Sequence, residues 1–194
     1  MVINFMATIA GNFILACWMA FFCYWLASAR RTKTNAEKQN LPSALAHRLP
    51  LGLSYVLLAD GHLPPPMNQR LIPPTAWLPV LGAAVCLLGL FVAIWARRTL
   101  ADNWSSDVTF KQGHELIRTG PYRFARHPIY TGLLGMGLGT ALAIGQWRGV
   151  FAWELMAVAL WIKLNQEERL LLRHFPEAYP AYQKQVKALV PFLI

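Results

Sequence analysis

The chain contains few charged residues and very few acidic ones. Only 14% of its 194 residues are Asp, Glu, Lys or Arg, with nine acidic against 18 basic residues, whereas soluble domains carry about 25% charge. Hydrophobic residues make up 56% of the chain, and its mean hydropathy is +0.35. This composition argues against a soluble protein, so we expect one domain whose apolar surface is covered largely by lipid.

Cysteine is also scarce, and it shows no ligand pattern. Cys17, Cys23 and Cys86 lie inside apolar stretches, without a CxxC pair or a histidine at metal-ligand spacing, which predicts buried thiols and no metal site. The glycine-rich fingerprint of a soluble dinucleotide-binding fold is absent too. Because the basic residues flank apolar runs, the net charge of +9 does not indicate nucleic-acid binding.

Long apolar runs dominate the sequence. The first 29 residues contain no Asp, Glu, Lys, Arg or His and lack the basic start of a signal peptide, so they predict a membrane helix. A helix needs about 20 apolar residues to cross the bilayer. The predicted spans are residues 5–27, 45–63, 77–96, 129–146 and 150–164, of which the second is the weakest and the last two form a helical hairpin.

The basic residues are divided unevenly among the predicted loops. Residues 30–48, 97–127 and 163–194 hold five, six and five of them, and only Arg70 and Arg148 fall on the opposite side. The positive-inside rule therefore places the N-terminus outside and the C-terminus in the cytoplasm. The predicted fold is an all-α membrane protein, with three spans in residues 1–96 and a C-terminal half in residues 97–194 that holds a cytoplasmic loop, the helical hairpin and a last helix.

The residues capable of chemistry lie in two blocks, residues 97–130 and 163–191, which this topology brings to one face. In the first block, the short piece 114–117 is expected to be extended, with backbone groups that suit the edge of an adenine ring. Pro128 begins the fourth helix, whose N-terminus favours an anionic group. The next four glycines of that helix would allow close approach of a partner helix or a ligand.

In the second block, Lys163 and Glu167 share one face of the fifth helix, which we expect to continue through His174. Carboxylates so near the hydrocarbon require a partner or a ligand. Further on, apolar residues at helical spacing between Pro180 and Pro191 predict an amphipathic helix that lies on the membrane or covers the site.

Several short motifs occur in order along residues 97–194. They are His114-x-Leu116-Ile117, Gly120-Pro121-Tyr122-Arg123, Arg126-His127-Pro128-Ile129-Tyr130-x-Gly132, Glu167-Glu168 and Phe175-Pro176-x-x-Tyr179-x-x-Tyr182. This ordered set resembles the isoprenylcysteine carboxyl methyltransferase family and its phospholipid methyltransferase relatives. The N-terminal spans carry no such match.

The resemblance implies a membrane enzyme that binds S-adenosylmethionine in a cytoplasm-facing pocket and methylates a lipophilic or prenylated substrate entering from the bilayer. The cofactor contacts that it implies are His114, Glu115, Leu116, Ile117, Tyr122, His127, Pro128, Ile129, Tyr130 and Glu167. The family's substrate-side arginine falls on Lys163 here, a departure that weakens the case for bidentate binding of a carboxylate.

Catalytic roles are predicted for Arg126, Lys163 and Glu168. Arg126 and Lys163 would orient the polar head of the substrate, and aromatic faces such as Trp104 would stabilise the sulfonium. A carboxylate acceptor needs no general base, whereas an amine or thiol does, and Glu168, His127 and His174 are the candidates.

The acceptor stays open among a prenylated cysteine, a phospholipid amine and a small lipophilic acid or thiol. Two alternatives also stay open: a membrane reductase of the sterol-reductase type that uses a nicotinamide cofactor, and a non-catalytic family member. The sequence indicates neither the oligomeric state nor which membrane, a cell inner membrane or an endomembrane, holds the protein.

Overall fold

The computed structural model describes residues 2–29, 35–37, 40–104, 108, 110–111 and 115–190. Its helices are α1 (Val2–Ala29), α2 (Leu41–Ala59), α3 (Trp77–Leu100), α4 (Pro128–Ile144), α5 (Trp147–His174) and α6 (Ala178–Gln185). Two short strands, β1 (Asn35–Glu37) and β2 (Phe110–Lys111), pair antiparallel. The described chain is therefore mainly helical, as predicted, with one small sheet that the all-α prediction did not include.

Two of the described helices are long and apolar enough to cross a membrane. They are α1 and the stretch Trp77–Asn103, which is α3 together with the short 3-10 helix that follows it. Helix α4 is apolar but has only 17 residues. Large apolar side chains such as Phe5, Leu26 and Phe91 are exposed on α1 and α3, as expected for helices surrounded by lipid.

The contact between α3 and α4 lies at the centre of the fold and is made by glycines. A Cβ atom at Gly132 would lie 2.6 Å from the backbone N of Ala93 and the backbone O of Gly89, and one at Gly89 would lie 2.5 Å from the backbone O of Gly132. No side chain fits in this contact, so the two backbones pack directly on each other. The predicted close approach at the α4 glycines is thus confirmed, and α3 is the partner helix.

Helices α4 and α5 form the predicted hairpin. Gly145 ends α4 in the left-handed conformation, with φ of 61°, which glycine adopts without steric cost. Helix α5 begins two residues later and continues to His174, as expected. Around this hairpin, α1 packs on α3 and α2 packs on α5. At the start of α5, the Arg148 guanidinium donates to the backbone O of Leu57 and of Leu58, at 3.0 and 2.9 Å, and so caps the end of α2.

The C-terminal helix is shorter than predicted. Helix α6 begins two residues before Pro180 and ends at Gln185, and Pro191, which was expected to end it, lies outside the described residues. Residues 186–189, here called the C-terminal strap, run beside residues 125–131 and bond to them through the backbone. This pairing, which is distant in sequence, replaces the last turns of the predicted helix.

Candidate functional site

A cavity of about 320 Å³ lies between the N-terminal helices, the end of α3 and the α4–α5 hairpin. This volume is within the range of small-molecule sites. The lining residues are Phe21, Phe22, Trp25, Leu51, Tyr55, Leu100, Asn103, Trp104, Tyr122, Arg126, His127, Ile129, Tyr130, Leu133, Leu160, Lys163, Glu167, Leu170 and Leu171. The cavity therefore combines a polar group of side chains with a mainly apolar and aromatic wall.

Glu167 is the point at which the two predicted blocks meet. The Tyr130 hydroxyl donates to Glu167 Oε1 at 2.6 Å, and His127 Nδ1 lies 3.5 Å from Glu167 Oε2. Lys163 Nζ lies 3.9 Å from Glu167 Oε1 on the same helix face, as the spacing predicted. The start of α4 and the distal part of α5 thus present their polar side chains to one cavity.

Glu168 makes a separate set of contacts. Its Oε1 accepts from Arg126 Nε at 2.8 Å and faces Arg126 Nη2 at 2.7 Å, and its Oε2 accepts from Gln183 Nε2 at 2.8 Å. The Arg126 and Glu168 side chains are only 10% and 13% exposed. Because Gln183 belongs to α6, Glu168 joins α5, α6 and the residues before α4, and it is not among the residues that line the cavity.

His127 lies between the two carboxylates, and its ring stacks on that of Tyr130 with 5.4 Å between centroids. Its Nδ1 faces Glu167, and its Nε2 lies 3.2 Å from Glu168 Oε1. Burial alone would lower the pKa of His127, but the hydrogen bonds and negative charges of the two carboxylates outweigh it, so the net pKa is raised. The geometry therefore favours an imidazolium that donates from both ring nitrogens.

Both carboxylates are held ionised. Burial acts to raise the pKa of Glu168, but hydrogen bonds from His127 and Arg126 outweigh it and bring the pKa to about 2. For Glu167, burial is likewise outweighed by the hydrogen bond from His127 and the charge of Lys163, so its pKa is lowered. At neutral pH the polar group therefore contains two anions and at least two cations.

The C-terminal strap fixes the start of α4. The backbone N–H groups of Arg126 and His127 donate to the backbone O of Lys187 and Ala188, at 2.8 and 2.9 Å. The Thr131 hydroxyl donates to the backbone O of Leu189 at 2.6 Å, and Arg126 Nη1 donates to that of Val186. The two amide groups just before α4 are thus used within the protein.

The structure brings most of the predicted site residues to the cavity, but not all of them. Those that line it are Tyr122, Arg126, His127, Ile129, Tyr130, Lys163 and Glu167. Pro128 is buried at the first position of α4. Glu115, Leu116 and Ile117 are not among the lining residues and belong to a segment without helix or strand. His114 lies outside the described residues.

The sequence interpretation missed the part of the wall that α1 and α2 supply. Phe21 and Trp25 of α1 stack with 4.2 Å between ring centroids, and Trp25 meets the edge of Trp104 at 6.0 Å. Trp104 in turn lies under the guanidinium of buried Arg97, 4.5 Å from the ring centroid. The signal available in the sequence was the cluster of aromatic residues in one half of the first helix.

Comparison with known proteins gives a consistent result. A family model described as phospholipid methyltransferase matches residues 77–178. The protein-S-isoprenylcysteine O-methyltransferase of Tribolium castaneum is 31% identical over 123 residues, which is 60% of this chain and 43% of that protein. The protein of the same name from Saccharomyces cerevisiae is 28% identical over 120 residues, 59% of this chain and 49% of that protein.

A relative with a different name also matches. The nickel-cobalt-cadmium resistance protein NccN of Alcaligenes xylosoxydans xylosoxydans is 30% identical over 122 residues, 60% of this chain and 53% of that protein. The chain spans about half the length of the curated relatives it matches.

Proposed function

The chain belongs to the phospholipid methyltransferase family, and from that premise we propose that it is an integral membrane enzyme that transfers a methyl group from S-adenosylmethionine to a lipophilic acceptor. The observation that carries the proposal is the meeting of His127, Tyr130 and Glu167 in one aromatic-walled cavity. The names of the beetle and yeast relatives point to the same class of reaction.

The residues of the cavity suit the proposed cofactor. Glu167 accepts a hydrogen bond from Tyr130 and faces His127 Nδ1, and a carboxylate has about four acceptor positions, which leaves room for a ligand's hydroxyl or amine groups. The rings of Tyr122, Tyr130 and Trp104, all of which line the cavity, offer faces that attract a cation, at about 0.5–2 kcal/mol each. S-adenosylmethionine, when bound, supplies a methyl group on a positively charged sulfur.

The titration properties of the polar group favour a carboxylate acceptor, and hence O-methylation. A general base should have a pKa near the working pH, but the pKa of Glu168 is about 2 and that of Glu167 is lowered too. Both ring nitrogens of His127 face these carboxylates, which raise its pKa and favour the ring as a proton donor to them. An acceptor that is already ionised needs no base, so the chain's task is to hold it in line with the methyl group and exclude water.

Lys163 is the residue that we propose to orient the acceptor. It lines the cavity, lies 3.9 Å from Glu167 and stands 5.6 Å over the Tyr130 ring. Arg126 also lines the cavity, but its guanidinium contacts Glu168 and the C-terminal strap. We therefore propose that the positive charge of Arg126 attracts the anionic acceptor without contacting it, and that Glu168 positions the side chains of Arg126 and His127.

The proposed topology has five spans, formed by α1 to α5, with the cavity on the cytoplasmic side. The placement of basic residues supports it, because only Arg70 and Arg148 fall among the opposite loops. Arg148 caps α2 through two backbone carbonyls, so a specific structural role accounts for one of these two exceptions. The C-terminal helix α6 would then lie at the inner membrane surface.

Calorimetric titration of the purified protein with S-adenosylhomocysteine tests the proposal. We expect the wild type to bind, and Glu167→Gln to bind roughly tenfold more weakly or worse, because hydrogen bonds to a charged group contribute about 1.5–3 kcal/mol. Glu154→Gln is the matched control, since Glu154 is exposed on the same helix. Absence of binding by the wild type, or equal binding by the two variants, contradicts the proposal.

A parallel titration with NADPH separates the alternatives. Binding of NADPH without S-adenosylhomocysteine indicates a reductase, and binding of neither indicates a non-catalytic protein. Transfer of radiolabelled methyl groups to a panel of prenylated thiols and lipids then identifies the acceptor. A base-labile product is expected, because carboxyl methyl esters hydrolyse in base and methylated amines or thiols do not.

A further inference from the structure

The cavity wall is built partly from a region outside the family match. The match begins at residue 77, yet α1 and α2 contribute Phe21, Phe22, Trp25, Leu51 and Tyr55 to the lining. These side chains are apolar or aromatic, whereas the charged residues of the cavity come from the matched region. The two parts of the chain therefore present different chemistry to one ligand space.

Tyr55 is held in place by the aromatic side chains of α1. Its ring meets the edge of Trp18 at 5.5 Å and of Phe22 at 5.8 Å, in T-shaped contacts of the kind that stabilise aromatic pairs. Trp18 is anchored in turn, because its indole Nε1 donates to the Thr140 hydroxyl on α4 at 3.1 Å. Tyr55 is thus a fixed part of the wall.

The hydroxyl of Tyr55 differs from that of Tyr130 in its hydrogen bonding. Of the three tyrosines that line the cavity, Tyr130 donates to Glu167. The hydroxyls of Tyr55 and Tyr122 have no hydrogen-bond partner within the described part of the chain. Tyr122 belongs to the block that was predicted to contact the cofactor, whereas Tyr55 has no role so far. A tyrosine hydroxyl on the wall of a cavity that has no partner in the protein is available to hydrogen-bond a ligand.

The position of Tyr55 along α2 separates it from the polar group. His47, on the same helix, places Nδ1 3.0 Å from the Oε1 of Gln166, the residue before Glu167. Tyr55 follows His47 by eight residues, which corresponds to about 12 Å along the helix axis. A molecule that reaches from Lys163 and Glu167 to Tyr55 therefore extends well beyond the reacting group.

We propose that Tyr55 is a specificity-determining residue whose hydroxyl binds a polar group in the body of the methyl acceptor. This inference rests on the proposed function. A plain hydrocarbon or isoprenoid chain offers no partner to the hydroxyl, so the preferred acceptor carries an amide or ester oxygen between its carboxylate and its apolar tail. Such an oxygen accepts the hydroxyl proton, while the tail lies against Phe21, Phe22 and Leu51.

Acceptor kinetics with Tyr55→Phe test this, because the variant removes the oxygen and keeps the ring. The probes are two prenylated thioether carboxylates of equal length, one with an amide group about 12 Å along the chain from the carboxylate and one with methylenes in its place. The full-length protein in detergent is expected to prefer the amide probe. In Tyr55→Phe, KM for the amide probe should rise roughly 3- to 10-fold, which corresponds to the loss of one hydrogen bond. The kcat for either probe and the KM for the methylene probe should stay unchanged.

Controls separate this inference from other effects. Tyr24→Phe removes a hydroxyl from α1 outside the cavity lining and should change neither KM. Affinity for S-adenosylhomocysteine should be equal in wild type and Tyr55→Phe, and a loss of affinity would assign Tyr55 to the cofactor and overturn the inference. If wild type and Tyr55→Phe methylate both probes with the same KM values, this inference is overturned while the proposed function stands. If the wild type binds S-adenosylhomocysteine but methylates neither probe, the proposed acceptor class and this inference both fail.

Discussion

Glu168→Gln removes the negative charge that joins α5 to α6 and to the start of α4, while it keeps the shape of the side chain. In the folded protein the pKa of Glu168 is about 2, against an ordinary value of 4.5. Each pKa unit corresponds to about 1.36 kcal/mol, so the ionised form contributes about 3 kcal/mol to stability at neutral pH. Breaking a buried ion pair by removing one partner typically costs about 3–5 kcal/mol, which agrees.

The assay is thermal unfolding of the purified protein in detergent. For a chain of this length 1 kcal/mol shifts Tm by about 2–4 °C, so Glu168→Gln should lower Tm by roughly 6–12 °C at pH 7. Because the pKa of Glu168 is lower in the folded than in the unfolded state, its ionised form contributes its full stabilisation at pH values above the unfolded-state pKa. The Tm difference should therefore shrink as pH falls from about 4.5 toward 2. Glu154→Gln, exposed on the same helix, should stay within about 2 °C of wild type.

A Tm for Glu168→Gln equal to that of Glu154→Gln would refute this reasoning. If methyl transfer were then lost while Tm and S-adenosylhomocysteine affinity were retained, Glu168 would act on the acceptor, as a general base does. A variant that loses stability but recovers activity at low temperature would support the structural role.

Two further predictions concern packing and pH. Gly89→Ala should lower the free energy of unfolding by about 1–3 kcal/mol, because its Cβ would lie 2.5 Å from the α4 backbone. The control Gly11→Ala, with nothing within 4 Å of its Cβ, should stay within about 1 kcal/mol of wild type in denaturant titration. Equal losses of stability in the two variants would contradict this prediction. Wild type should have a higher Tm than His127→Gln, and this difference should be largest below about pH 6.5 and shrink as pH rises, because the folded-state pKa of His127 is raised. A difference that grows with pH would show that the folded protein prefers a neutral His127.

Local patterns were sufficient to predict much of the helical framework. Pro128 at the start of α4 and the extension of α5 to His174 were predicted, and Pro128 has a strong preference for that position. Helix α4 ends two residues before its predicted end, where Gly145 adopts the left-handed conformation, and α5 begins three residues before its predicted start. The pairing of Lys163 with Glu167 followed from helical spacing. The meeting of the two polar blocks was predicted from the helical hairpin between them, since the two arms of a hairpin return the chain to the same end.

The parts that were missed depend on contacts distant in sequence. Val186 and Leu189 have the spacing of a helix, but pairing with residues 125–131 keeps the strap extended, and tertiary contacts override weak propensity. Helix α1 is apolar on every side, so its sequence could not show that Phe21 and Trp25 face a cavity while Phe5 and Leu26 are exposed. Nothing near Arg148 in the sequence indicated that it caps α2.

The C-terminal strap also has a consequence for biosynthesis. Residues 186–189 supply the carbonyl groups that hold Arg126, His127 and Thr131, and they leave the ribosome only after all five long helices have been made. A nascent chain that already holds every long helix therefore still lacks the contacts that position the His127 imidazole. Truncation before residue 186 would therefore separate formation of the helical framework from assembly of the candidate site.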